Sequence, residues 1–136
     1  MNRRQILRLG GAAFVAAVSA GCSSAGGSGD MKRVSMTDDF GFDPKRLTIS
    51  AGTTVKWTND SAVGHTVTAY DSRIPTNATY FASGGFDSEE AARNAVSGGL
   101  LASGEVYEHT FEISGTYEYV CIPHESSGMT GTVVVE

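Results

Sequence analysis

Cysteine, histidine and basic residues are all scarce in this sequence. Cys22 and Cys121 are the two cysteines among 136 residues, which excludes the cross-linked scaffolds of small exported domains. Three histidines, His65, His109 and His124, are too few for a protein with several metal centres. Three of the ten basic residues, Arg3, Arg4 and Arg8, fall at the start of the chain. The remainder sets seven basic residues against fifteen acids, a balance of −8. That excess argues against nucleic acid as a partner. It suits solubility alone, or a partner with basic features. The apolar run from Leu9 to Ala20 is twelve residues long, short of the about 20 that cross a bilayer. What remains, 40% hydrophobic and 18% charged overall, fits one domain with a real core.

Residues 1–22 read as a signal segment. Asn2-Arg3-Arg4-Gln5-Ile6-Leu7 resembles a twin-arginine export signal, and Ser19-Ala20-Gly21-Cys22 resembles a lipoprotein cleavage site. Cys22 is then the acylated first residue, and two acyl chains anchor stably where one binds only marginally. The plainer alternative is an ordinary cleaved leader or an uncleaved membrane helix. Residues 23–33, rich in Ser and Gly, read as a flexible linker with a root-mean-square reach of about 18 Å. With Cys22 used as an anchor, Cys121 has no disulfide partner, and a leftover thiol in an exported protein needs another explanation.

Residues 34–136 read as short strands: 34–37, 47–50, 53–59, 65–70, 105–113, 116–121 and 132–136. Phe42-Asp43-Pro44, Asn59-Asp60-Ser61 and Ser114-Gly115 read as turns. Residues 71–104 break the pattern. Within them Ser88 can cap a helix that begins Glu89-Glu90 and stops at Gly98-Gly99, and cover for a sheet edge is its plainest use. About seven strands with Gly-rich turns predict an all-β fold, an antiparallel Greek-key β-sandwich with one short helix in a long insertion.

The chemistry gathers near the C-terminus, in Cys121-Ile122-Pro123-His124-Glu125-Ser126-Ser127-Gly128-Met129. Two residues separate Cys121 from His124 and four separate His124 from Met129, so one curled loop can aim a thiol, an imidazole and a thioether at a single ion. Soft sulfur with imidazole selects copper over calcium, magnesium or manganese. A trigonal site needs a second imidazole, and His65, preceded by Gly64, is the evident donor. Cys121 supplies the strong thiolate bond, His65 and His124 complete the plane, and Met129 is the weak axial ligand. Singly, Cys121 reads as a small buried hydrophobe, His65 as a strand-end residue and Met129 as core filler. Their joint spacing is what points to a metal. His109 reads as a plain strand residue, Tyr117 and Tyr119 as core and support, and Glu125 as a solvated loop charge.

Cys-x-Pro-His-Glu-x-x-Gly-Met, preceded by Tyr-x-Tyr and followed by Gly-Thr-Val-Val-Val, resembles the plastocyanin-like (type 1) blue copper proteins, and among them the membrane-anchored archaeal halocyanins. The resemblance runs from about Val34 to Glu136 and includes Tyr80 to Asp87. It implies a cupredoxin-like sandwich, one type 1 copper ion, and the carrying of single electrons between redox partners of a membrane respiratory chain. It implies no enzyme activity. The protein is expected as a monomer on the outer face of the cell membrane, held by the Cys22 lipid. Around the metal, Gly64 is expected to bring its carbonyl near the ion, and Pro123 withholds an N–H from the Cys121 sulfur. Thr66 stands where the family often has Asn, which puts that residue's hydrogen bond in doubt. The second histidine of the family lies near an apolar surface, here His124 with Ala62, Val63, Ile122 and Pro123. Copper storage or delivery is the main alternative, although the Met-rich and Cys-x-x-Cys motifs of such proteins are absent. A Cys–His thiol enzyme lacks a third orienting residue, and Met is a poor zinc ligand.

Overall fold

The computed structural model describes residues 30–136. The signal segment and Cys22 lie outside the described residues. Eight strands form two four-stranded sheets. They are β1 (Met31–Met36), β2 (Phe42–Asp43), β3 (Arg46–Ile49), β4 (Thr53–Asn59), β5 (Thr68–Ala69), β6 (Val106–Phe111), β7 (Gly115–Val120) and β8 (Thr130–Val135). One sheet runs β2-β1-β4-β6 and the other β3-β8-β7-β5.

The pairing is mixed rather than wholly antiparallel. β1 lies parallel to β4 and β3 parallel to β8, while the remaining pairs are antiparallel. The chain changes sheets between β2 and β3 and again between β3 and β4. These changes let β4 return beside β1, and later β8 beside β3, in the same direction, which a hairpin cannot do. Met31, Lys32 and Arg33, expected in the linker, belong to β1 and pair with Thr54, Val55 and Lys56.

β4 shows why these residues form strands. Thr53, Val55, Trp57 and Asn59 are buried, and the residues between them are half-buried, the period of a sheet with one face on the core. Trp57, fully buried, centres an aromatic cluster. It meets Tyr119 edge-on at 5.4 Å, Phe81 at 6.0 Å and Phe111 at 6.3 Å. A Cβ at Gly131 would fall on the Tyr119 ring, so that close approach of backbone to ring requires glycine.

Residues 70–105 form the insertion. A six-residue helix, α1 (Glu89–Asn94), is capped by Ser88, whose Oγ accepts the Ala91 N–H at 3.1 Å. Three insertion contacts cover the free edge of β5. Thr68 pairs with Ala82 in an isolated antiparallel bridge. Ala69 N–H donates to the Phe81 carbonyl at 3.1 Å, and the Tyr80 hydroxyl donates to the Ala69 carbonyl at 2.9 Å.

Candidate metal centre

β7 delivers Cys121 to one end of the sandwich. The chain then coils through a 3₁₀ segment (Ile122–Ser127) and reverses at Gly128, whose φ of 83° is left-handed. The loop is closed by its own backbone. Cys121 N–H donates to the Met129 carbonyl at 2.9 Å, His124 N–H to the Cys121 carbonyl at 3.1 Å, and Met129 N–H to the His124 carbonyl at 3.3 Å. Met129 is fully buried in the same core cluster as Cys121.

His65 comes from the other side. It exchanges two backbone hydrogen bonds with Leu101, at 3.1 and 2.7 Å, so the far end of the insertion fixes its place. The two loops bring His65 Nδ1 to 3.6 Å and His124 Nδ1 to 3.3 Å from Cys121 Sγ. All three atoms lie within 4.8 Å of one another. Trigonal bonds of about 2.0–2.3 Å place ligand atoms about 3.5–4 Å apart, so the donor set fits one copper ion.

Small polar residues orient the ligands. With Nδ1 turned to the sulfur, His65 Nε2 carries the proton and donates to Ser61 Oγ at 2.9 Å. Ser61 Oγ in turn donates to Asn59 Oδ1 at 2.7 Å, and Asn59 Nδ2 donates to the Val63 and Leu101 carbonyls at 2.7 and 2.9 Å. Such partners fix the ring and tautomer of a ligating histidine. Burial, and then the neighbouring His124, push the His65 imidazole below its ordinary value, which favours the neutral ligand form. Burial pushes the Cys121 thiol up, partly opposed by the Thr66 and His124 backbones. A metal charge is what would hold the thiolate here.

Thr66 does two things that the sequence did not disclose. Its N–H donates to Cys121 Sγ at 3.4 Å, and its Oγ1 accepts the Ile122 N–H at 2.9 Å. The doubt over a bond at this position is thus answered by a link that ties the two ligand loops together. Gly64 sits under Leu100, where a Cβ would come within 3.0 Å of that side chain. Its smallness serves this packing. Pro123, exposed, opens the 3₁₀ segment and leaves the sulfur to Thr66.

Glu125 is not the free loop charge expected. Arg93 of α1 grips it with two bonds, at 2.8 and 3.1 Å, and the Tyr70 hydroxyl donates to it at 2.9 Å. Arg93 also bonds Glu89 at 2.8 Å. The helix therefore reaches the ligand loop besides shielding an edge. Asn59 and Ser61 read only as turn formers in the sequence. Asn six places and Ser four places before a candidate ligand were the available signal.

His124 is half-buried with the exposed Phe40 stacked on its ring, and two further exposed apolar side chains, Val63 and Leu100, lie by the His65 loop, Leu100 against Gly64. Phe40 and Leu100 were not foreseen, because neither is near a ligand in sequence.

Comparison with known proteins follows the same line. Residues 29–136 match the family described as copper binding proteins, plastocyanin/azurin family. The chain is similar to plastocyanin of Scenedesmus fuscus, 35% identical over 95 residues that span 70% of this chain and 86% of that one. It is 32% identical to the chloroplastic plastocyanin of Tetradesmus obliquus over 95 residues, again 70% of this chain but 58% of that one. Among solved structures it resembles a purple cupredoxin from Nitrosopumilus maritimus, with a TM-score of 0.54, 28% identity and coverage of 77% and 99% of the two chains. With sandwich, ligand geometry and matched residues in agreement, the chain belongs to the plastocyanin/azurin family of copper-binding proteins.

Proposed function

We propose that this protein is a type 1 copper electron carrier of the halocyanin kind, held by a lipid on Cys22 at the outer face of the cell membrane. The observation that carries the copper reading is the meeting of His65 Nδ1, Cys121 Sγ and His124 Nδ1 at one point. His65, Cys121 and His124 would hold the ion, with the Met129 thioether as a weak further donor. Copper in such a site supplies a one-electron couple between its two oxidation states. The chain's own part is to keep the ligands in place whichever state is present. Turns closed by backbone hydrogen bonds and the Asn59–Ser61–His65 relay hold them, so little rearrangement accompanies electron movement.

Electrons enter and leave at His124, the half-exposed ligand, while His65 is fully buried. The apolar surface of Ala62, Val63, Ile122, Pro123 and Leu100 lets a redox partner approach without stripping water from charges. The partners are respiratory proteins at the same membrane face, and the protein itself carries out no catalysis. The anchor rests on the sequence Ser19-Ala20-Gly21-Cys22, which resembles a lipoprotein cleavage site.

Membrane fractionation of the full chain tests the placement. The parent is expected in the membrane fraction with a lipid-modified Cys22, and Cys22→Ser in the soluble exported fraction. A parent found soluble and unmodified would remove the anchor.

A further inference from the structure

We infer that Phe40 is a positioning residue for the metal centre: its ring caps the His124 imidazole and holds it in the ligand orientation. This rests on the copper reading above. The starting point is a difference between the two histidines. His65 is oriented by the bond from Nε2 to Ser61. Among the described residues, the Nδ1 contact with Cys121 is the sole hydrogen bond of the His124 ring. The ring of a ligating histidine is ordinarily held by partners beyond the metal, water included, and this half-buried ring needs a contact that fixes its plane.

Phe40 meets that need. Its ring lies 4.4 Å from the His124 ring at 20°, nearly parallel. Its backbone shows that the position is maintained at a cost. Phe40 has a φ of 61° and is the one non-glycine residue with positive φ among the described residues. A bulky side chain is a rarity in the left-handed region, where Gly or Asn sits with less strain. Such strain persists only where the surroundings over-determine it, and it marks functional positions. Burial does not explain it, because Phe40 is 38% exposed.

The turn that carries the ring is built for stiffness. Thr37 N–H donates to the Gly41 carbonyl at 3.0 Å, Phe40 N–H to the Thr37 carbonyl at 3.2 Å, and Thr37 Oγ1 to the Gly41 carbonyl at 3.2 Å. Asp38 Oδ1 accepts the Ala62 N–H at 2.9 Å, which ties the turn to the loop leading into His65. One turn thus bears on both ligand loops, with Phe40 on its tip over His124.

The test compares the full-chain parent with Phe40→Gly and Phe40→Tyr. Glycine suits the left-handed turn, so a merely architectural Phe40 predicts unchanged or higher thermal stability and an unaltered His124. The cap predicts something different. In metal-free protein, nuclear relaxation of the His124 Cε1–H should report a rigid ring in the parent and in Phe40→Tyr, and a mobile one in Phe40→Gly. In copper-loaded protein, Phe40→Gly should release copper to a chelator about fivefold faster, the scale of one lost aromatic stack, and Phe40→Tyr at the parental rate. A His124 ring equally rigid in Phe40→Gly would overturn the proposal. A parent that takes up no copper would sink the copper reading, and the metal-free comparison would still decide the cap.

Discussion

Asn59 and Ser61 behind His65, and Thr66 beside the Cys121 sulfur, orient the ligands, and each can be removed singly. Ser61→Ala takes away the acceptor of His65 Nε2–H in a buried place. Leaving such a donor unpaired costs about 1–3 kcal/mol, and losing the outer partner of a metal ligand costs about 10–100-fold in affinity. Chemical denaturation of the metal-free protein and copper competition titration should show both losses. A Ser61→Ala protein with parental copper affinity would mean that His65 is oriented by something else. Tyr119 offers the opposite case. Its buried hydroxyl makes no well-formed hydrogen bond, and the Trp57 indole N–H is the polar group that faces it, so the group already bears most of its desolvation cost. Tyr119→Phe is therefore expected to leave the unfolding midpoint unchanged or raise it. A fall of more than about 1 kcal/mol would reveal a partner for that oxygen.

At the level of elements, α1 and the ligand loop form one unit through Arg93 and Glu125. Arg93, then Tyr70, hold the Glu125 carboxyl below its ordinary value. A lowered carboxyl contributes stability above the unfolded pKa, about 4.3, and loses it as pH falls through the folded value. The pair is partly exposed, at 32% and 38% of the side chains, so screening limits it to about 1 kcal/mol or less. A double-mutant cycle with Arg93→Gln and Glu125→Gln should give a coupling of that size at pH 7, shrinking as the pH drops below 4. A coupling that stayed constant across that range would contradict the ion pair.

The same scale shows what a sequence discloses. β4 was legible from Thr53 to Asn59 because alternate burial writes itself as alternate polarity. The helix start was legible because Ser88 caps locally. Phe42-Asp43 reads as a turn yet pairs with Ser35 and Met36, since two residues carry no period. Residues 65–70 read as one strand, but only Thr68 and Ala69 pair regularly with β7. His65 and Val67 spend their backbone bonds on Leu101 and Ser83, partners that no local pattern reveals. Cys121, His124 and Met129 stood out as a cluster in sequence, and His65 as the histidine that follows Gly64 at the start of an alternating run. Phe40 and Arg93 did not, because a side chain that meets the site from a distant loop leaves no spacing to read.

For the molecule as a whole, His109 links acidity to stability away from the metal. Its ring stacks on Phe81 at 4.7 Å and meets Phe111 edge-on at 4.7 Å, and burial pushes its pKa down. The folded protein therefore prefers it neutral. The stability it contributes is complete above the unfolded value of about 6.5 and is lost as pH falls from there toward the folded pKa. Metal-free parent should lose more stability between pH 7 and 5 than His109→Gln, as read by thermal unfolding at each pH. Equal losses would mean that His109 titrates normally.

The account as a whole stands on His65, Cys121, His124 and Met129 binding one copper ion. The most direct measurement is to titrate Cu(II) into the full-chain protein and record visible absorption and electron paramagnetic resonance. One equivalent should produce an intense thiolate-to-copper band with narrow hyperfine splitting, and Cys121→Ser should abolish both. A protein that stays colourless, or that yields its copper at once to a mild chelator, would contradict the electron-carrier account and favour a protein that stores or delivers the ion.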